Sequence, residues 1–378
     1  MRPKGQRVVD VHFHVGLLGD RWGHWGRLSE HFREQVAYAG FLLYARIHKK
    51  DVSDPVLREA TERVIDSCQQ VDQVVCLALD CVVDPDGHER PDRTHMWVAN
   101  EYVEELQRAL PNRVLFGASV HPYRSDFEDR VRACIDKGAV LLKWLPSAMG
   151  IDLADSRIAD RLRFLATSRS GRPLPLLLHC GPEYAIPPVE ASAASRDWLS
   201  CRPWEQLASR MRWGSGWQPP NARAIHGNLR AGLDAGGTVI FAHCGLPYFA
   251  SGPVGRYLEH SEASTVRGFL TSNPAGADAA GCCFADVSAF CTPFRLPLFD
   301  DVRRIPEQFV LFGSDFPTPV FELSAGRAEV KKDFRAMLRG EFERIIIPQD
   351  NLVDVNFREL DHFFPGHALF TNFDRLLA

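Results

Sequence analysis

Eight short apolar runs, spaced along the whole chain and separated by helical patterns, constrain this sequence most. They are Val8–His14, Val71–Leu79, Val114–Val120, Ala139–Leu145, Leu174–His179, Thr238–His243, Cys283–Ala289 and Phe309–Gly313. Runs of Val, Ile, Leu and Phe without polar alternation suit strands buried on both faces, as in parallel sheets. Between them, Asp54–Cys68 carries apolar residues at Val56, Leu57, Ala60, Val64 and Ile65, with Pro55 suited to a first helical turn. Thr94–Leu110 and Asp126–Lys137 have similar patterns, the latter ending at Gly138. Ile158–Ser170 ends at Gly171 in the same way. Alternation of eight strands with helices predicts an α/β fold, a (β/α)8 TIM barrel spanning 1–378 as one domain. An open doubly wound sheet is the runner-up, weakened because no Gly-rich phosphate loop follows the first strand.

Two connections exceed what a barrel needs. The first covers about 16–53 and is rich in Trp, His and Arg. The second covers about 181–237 and holds Trp198, Trp204, Trp213 and Trp217. Their aromatic content argues against disorder. They read as lids over the C-terminal mouth, the alternative being helical decoration away from it. No internal repeat or low-complexity segment appears.

Composition narrows the function classes. At 45% hydrophobic and 24% charged residues, the 378-residue chain has ample material for a core. A net charge of -4 without polybasic runs argues against nucleic acid and anionic membrane surfaces as partners. No signal peptide or apolar stretch of membrane-spanning length is seen. The ten cysteines are scattered, without a CxxC pair, and read as buried thiols of a reducing cytoplasm. A cytoplasmic protein, able to form a homodimer, is expected.

Polar residues recur at the C-terminal ends of the predicted strands, where a barrel gathers its active site. The first strand ends in His12-Phe13-His14, the third in His121-Pro122, the fifth in His179-Cys180-Gly181, the sixth in His243-Cys244-Gly245 and the eighth in Ser314-Asp315-Phe316-Pro317. Lys143 lies within the fourth. Side chains two apart on a strand face the same way, so His12 and His14 both point inward and can hold one ion. A single buried histidine is more often a satisfied core residue. That reading weakens when His12, His14, His179, His243 and Asp315 all fall at matching strand ends, because burying them without partners is costly.

This ordered set resembles the amidohydrolase superfamily. The flanking residues are similar to its amidohydrolase 2 branch, which includes the aminocarboxymuconate-semialdehyde decarboxylase-like enzymes. The resemblance runs from Val8 to the C-terminal Thr371-Asn372-Phe373-Asp374-Arg375-Leu376-Leu377. It implies a divalent metal, zinc first with manganese or iron as alternatives, held by His12, His14, His179 and Asp315. Asp315 would also be general base on the metal-activated water, its plainer reading being a helix N-cap. His243 would be an acid/base beside one ion or a ligand of a second.

Lys143 separates one ion from two. In some superfamily members a lysine on the fourth strand is carbamylated and bridges two metals. The apolar stretch Leu141-Leu142-Lys143-Trp144-Leu145-Pro146 would desolvate its amine and favour that reaction. The decarboxylase-like branch typically lacks such a lysine, so its presence departs from the pattern. The alternative is an unmodified Lys143 paired with a substrate acid or with Asp10, and one ion is favoured over two.

Substrate contacts are assigned to Arg46, His121, Lys143, Glu183, Tyr184 and Arg295, for a small organic acid. His48 and Lys49 follow Arg46, and Trp22, Trp25 and Trp144 offer either an aromatic pocket or core packing. The implied activity is hydrolysis of an amide, lactone or related C–N or C–O bond. Decarboxylation or hydration on the same scaffold is the alternative, and a non-enzymatic barrel with a remnant site is the weakest reading.

Overall fold

All eight apolar runs become strands of one parallel sheet. The computed structural model describes residues 6–180, 185–187, 189, 222–245, 266–273, 281–293, 295–326, 332–333, 335–336, 339–341, 344–345 and 347–377. The sheet strands are β1 (Val9–His14), β3 (Gln73–Leu77), β5 (Val114–Ala118), β6 (Ala139–Trp144), β7 (Leu176–Leu178), β8 (Val239–Phe241), β9 (Cys283–Asp286) and β10 (Val310–Leu311), in that spatial order. The remaining two, β2 (Gly26–Leu28) and β4 (Met96–Val98), form a separate antiparallel pair.

The ends of the large sheet meet. Val11 N donates to Phe312 O at 3.0 Å, Asp315 N to His12 O at 2.8 Å and His14 N to Phe316 O at 2.9 Å. These bonds satisfy the edge groups that an open sheet would leave bare. The architecture is a (β/α)8 barrel. Both faces of β1 and β9 are buried, apolar residues alternating in β1 with the inward Asp10, His12 and His14, and Asp286 ending β9. Fully buried Phe116, Trp144, Phe241 and Phe284 come from four of the eight strands.

Helices Asp54–Ser67, Phe127–Asp136 and Ser156–Thr167 lie where apolar periodicity predicts them. The first begins with Pro55 at the position where a missing N–H costs nothing. Gly138, at φ +90°, ends the second in the left-handed conformation that glycine accepts without strain. The predicted helix Thr94–Leu110 needs correction: Met96–Val98 is β4, and the helix is Asn100–Ala109. Pairing with Gly26–Leu28, far away in sequence, overrides the local pattern there.

The first long connection contributes Leu28, Phe32, Tyr38 and Phe41 to the lining of a cavity shared with His14 and Asp315. It supplies β2 and helices Glu30–Arg33 and Val36–Tyr44. Asp54, at the start of the next helix, anchors it by accepting the backbone amides of Leu18, Gly19, Arg21 and Trp22 at 2.6–3.1 Å. Most of the second connection lies outside the described residues. Its last part includes helix Ala222–Asp234, which packs against Ser156–Thr167. Among the described residues, no helix is long and apolar enough to cross a membrane.

Candidate metal centre and the cavity above it

His12 and His14 end β1, and Asp315 follows β10, so barrel closure itself brings them together. His12 Nε2 lies 3.1 Å from His14 Nε2 and 3.4 Å from Asp315 Oδ1, and His14 Nε2 lies 3.2 Å from the same oxygen. Donor atoms around a four-coordinate ion with bonds of about 2.0–2.2 Å stand about 3.3–3.6 Å apart. The three side chains stand within about 0.2 Å of that spacing, slightly closer at two of the three pairs. His12, His243 and Asp315 also present ligand atoms within 4.8 Å of one another.

Two residues that the strand-end pattern passes over orient this group. Asp286, at the end of β9, accepts from His12 Nδ1 at 3.0 Å and from the backbone N of His243 at 3.0 Å. Ser288 donates its hydroxyl to Asp286, and both the Ser288 carbonyl and its Oγ lie within reach of His243 Nδ1, at 3.1 and 2.9 Å. A carboxylate and a carbonyl only accept, so Nδ1 carries the proton in both rings. That assignment leaves each Nε2 lone pair facing the mouth, as a metal requires. The signal was in the sequence: Cys283-Phe284-Ala285-Asp286-Val287-Ser288 places a carboxylate and a hydroxyl two apart in an otherwise apolar strand.

Burial lowers the pKa of His12, of His179 and of His243, the last to about 3. Neutral imidazoles are the metal-binding form. Burial alone would raise the Asp315 carboxyl, but His12, then His14 and His243, pull it well below the usual carboxylate range. Asp286 is held low against its own burial by His12. Asp315 stays ionised and accepts from the Thr318 hydroxyl at 3.0 Å.

Backbone strain concentrates at these positions. His243 (φ +55°), Cys244 (φ +54°) and Asp315 (φ +60°) adopt left-handed conformations that cost non-glycine residues about 1–3 kcal/mol each. Bonds to the surroundings hold them, including Asp315 N to His12 O and His243 N to Asp286.

His179 follows β7, and its ring meets that of His243 edge to face at 5.1 Å between centroids. Lys143, in β6, is fully buried with Nζ 3.1 Å from His12 Nε2. The carboxylate of Asp10 accepts from the backbone of His12 and Ser314, at 3.0 and 2.9 Å.

The structure places other expected substrate contacts elsewhere. Arg46 does not line the cavity; its guanidinium donates to the carbonyls of Pro348, Gln349 and Asp350 at 2.5–2.9 Å. His48 and Lys49 are exposed. His121 is buried, donating from Nε2 to Met149 O at 2.9 Å and accepting at Nδ1 from Tyr123 N at 3.2 Å. Both its ring nitrogens serve the fold rather than a ligand. Arg295 is buried behind the site and donates to Ser288 O at 3.2 Å. Glu183 and Tyr184 lie outside the described residues. Trp144 is core, donating to Val120 O, and Trp22 and Trp25 pack at the core's edge rather than around the cavity.

A cavity of about 130 Å³ rises from the metal-capable side chains. His14, His179, His243 and Asp315 form its floor. Its walls are apolar and periodic. Helix Val36–Tyr44 and the residue after it turn Tyr38, Phe41, Leu42 and Ala45 inward, at i, i+3, i+4 and i+7, and helix Asp54–Ser67 presents Leu57, Ala60 and Thr61. Leu28 and Met96, directly paired across β2 and β4, complete the wall.

No protein-family model and no curated protein matches this chain. Solved structures are similar in overall course. An uncharacterized TIM-barrel protein from Bordetella bronchiseptica has a TM-score of 0.47 at 12% identity, with 95% of this chain and 98% of that one covered. A dihydroxybenzoic acid decarboxylase from Polaromonas, with bound manganese and an inhibitor, gives 0.45 at 11% identity, covering 95% and 97%. A probable 2-pyrone-4,6-dicarboxylic acid hydrolase from Acinetobacter baumannii, with citric acid bound, gives 0.41 at 13%, covering 93% and 99%. At these identities the likeness concerns the course of the chain, and residue roles here rest on the geometry above.

Proposed function

We propose that this protein is a metal-dependent enzyme that hydrolyses an amide, lactone or related C–N or C–O bond of a small organic acid. The observation that carries the reading is the sorting of tautomers by Asp286 and Ser288. They aim the Nε2 atoms of His12 and His243 at the cavity floor, beside ionised Asp315. His12, His14, His179 and Asp315 would hold one divalent ion, zinc first, with manganese or iron as alternatives. Such an ion would lower the pKa of a water toward neutrality and polarise a substrate carbonyl.

The chain's own groups supply the rest. Asp315, kept ionised beside Thr318, accepts a proton from the nucleophile and returns it to the leaving group. His243, fixed by Asp286 and Ser288, stands next to the reacting carbonyl. The apolar walls exclude water and bind the body of the substrate. That same lining favours a second reading, decarboxylation of an unsaturated or aromatic acid, because a poorly solvating pocket destabilises a carboxylate more than the neutral product.

Metal analysis followed by an activity screen tests the proposal. The purified protein should carry about one equivalent of divalent metal and turn over members of an amide, ester and lactone panel. Carbon dioxide release in place of hydrolysis would transfer the assignment to the second reading. Absence of bound metal after incubation with zinc, manganese or iron would refute both.

A further inference from the structure

The polar side chains that line the cavity gather at its floor or are engaged elsewhere. His14, His179, His243 and Asp315 form the floor, and Thr318 donates to Asp315 beside them. Thr61 donates to Leu57 O at 2.9 Å within its helix, and the Tyr38 hydroxyl oxygen is fully buried, out of a ligand's reach. Above the floor, five elements contribute hydrocarbon. Leu28 and Met96 come from the β2–β4 pair, Phe32 from helix Glu30–Arg33, Leu42 from Val36–Tyr44, and Leu57 and Ala60 from Asp54–Ser67. Among the described residues, no lysine or arginine lines this space. The cations of the surrounding segments are directed elsewhere. Arg33 extends toward exposed Glu30, 4.0 Å away, and Arg46 donates to the carbonyls of Pro348, Gln349 and Asp350. Arg295 donates to Ser288 O, and Lys143 Nζ lies against His12 Nε2.

We infer that this space is a hydrocarbon-binding pocket, and that the substrate is an uncharged aliphatic amide, ester or lactone whose tail carries no second acidic group. The inference rests on the hydrolytic reading of the floor and narrows its substrate class. A carboxylate set among Leu28, Phe32 and Leu57 would lose its water and gain no cation, a costly transfer. A methylene in the same place gains the full benefit of leaving water. Size follows from volume. A dry cavity of about 150 Å³ lined by Leu, Ile and Phe takes up benzene. At about 130 Å³, the present cavity matches a tail of about four or five carbons beyond the reacting carbonyl. The tail enters between the apolar walls while the carbonyl stays beside the histidines and Asp315.

Straight-chain hydroxamates test this, because their head group chelates zinc and only the tail varies. Dissociation constants are measured by calorimetry on the zinc-loaded full chain, from acetohydroxamate to octanohydroxamate. Affinity should rise about 3- to 4-fold per methylene up to about hexanohydroxamate and then level off. The monohydroxamate of hexanedioic acid, whose tail ends in a carboxylate, should bind at least about 10-fold more weakly than hexanohydroxamate. Ala60→Leu adds bulk to the wall and should move the levelling point to a chain about two carbons shorter, with zinc affinity within about 2-fold. Affinity that ignores chain length in the native protein, or a carboxylate-ended probe that binds as well as hexanohydroxamate, would overturn the inference. In parallel, 1-pentanol, which lacks a chelating head, is titrated into zinc-free protein. Its binding there, with no hydroxamate bound, would support the pocket and remove the metal reading alone. Zinc binding without a gain per methylene would do the reverse.

Discussion

The imidazole of His12 and the carboxylate of Asp286 meet at 3.0 Å, and neither side chain is exposed to solvent. The pair joins the first barrel strand to the seventh and fixes which nitrogen of His12 carries the proton. Outer partners of this kind govern metal affinity almost as strongly as the ligands do.

Replacing Asp286 with Asn should weaken zinc binding about 10- to 100-fold. The amide keeps the shape but loses the charge that opposes the His12 proton. Competition with a chromophoric chelator measures the change, and an unaltered dissociation constant would remove Asp286 from the assignment.

Metal should stabilise the folded protein. A ligand at 100 times its dissociation constant adds about 2.7 kcal/mol when it binds only the native state. Thermal unfolding with and without zinc should show this shift in the native protein. In the double variant His12→Ala, His14→Ala it should vanish, and an undiminished shift would place the ion elsewhere.

Gly313 lies directly behind the site, where an added Cβ would come within 3.0 Å of the Cβ atoms of both His12 and Ser288. Real Cβ atoms rarely approach so closely, so Gly313→Ala must push one of those residues aside. The expected result is a metal affinity reduced at least about 10-fold, by the same misorientation that an Asp286 change causes. Isothermal titration with zinc checks it.

Much of this architecture is legible in sequence, and the reasons are local. Strands buried on both faces are rich in apolar residues, so all eight stand out. His12, His14, His179, His243 and Asp315 interrupt those runs at their ends and are easily seen. Asp286 is harder to find, because it lies between Ala285 and Val287 and its partner is 274 residues away. The same is true of Arg46, which reads as a free cation until the fold delivers the carbonyls of Pro348, Gln349 and Asp350. Met96–Val98 has a helical pattern in sequence, because its strand partner, Gly26–Leu28, is about 70 residues upstream.

Arg46→Ala separates anchoring from substrate binding. Losing hydrogen bonds to three carbonyls should destabilise the fold by about 1–3 kcal/mol while leaving kcat/KM within about 2-fold. Denaturant unfolding and steady-state kinetics distinguish the outcomes. A large rise in KM at unchanged stability would return Arg46 to the substrate.

Arg124 grips Asp80 through two bonds, at 2.6 and 2.8 Å, and reaches Glu89 at 2.6 Å. Burial would raise the Asp80 carboxyl, but Arg124 holds it below its ordinary value. A carboxyl depressed on folding adds stability that is complete above the unfolded pKa, about 4, and disappears as pH falls through the folded one. Asp80→Asn should therefore lower stability at pH 7 and flatten its decline below about pH 4. Urea midpoints across pH 2–7 measure both; parallel curves for native and variant protein would contradict the role.

The bond from Asp315 N to His12 O joins the two ends of the sheet, and it has a temporal meaning. On the ribosome, Asp315 emerges about 300 residues after His12, roughly 15–60 s later at ordinary elongation rates of 5–20 residues per second. Until then the nascent chain holds histidines without their carboxylate, around a sheet whose edges are bare. Capture of a metal at this site would thus be postponed to the closing of the ring. An ion bound there would clasp the oldest strand to the youngest and oppose the fraying by which an open barrel would begin to unfold.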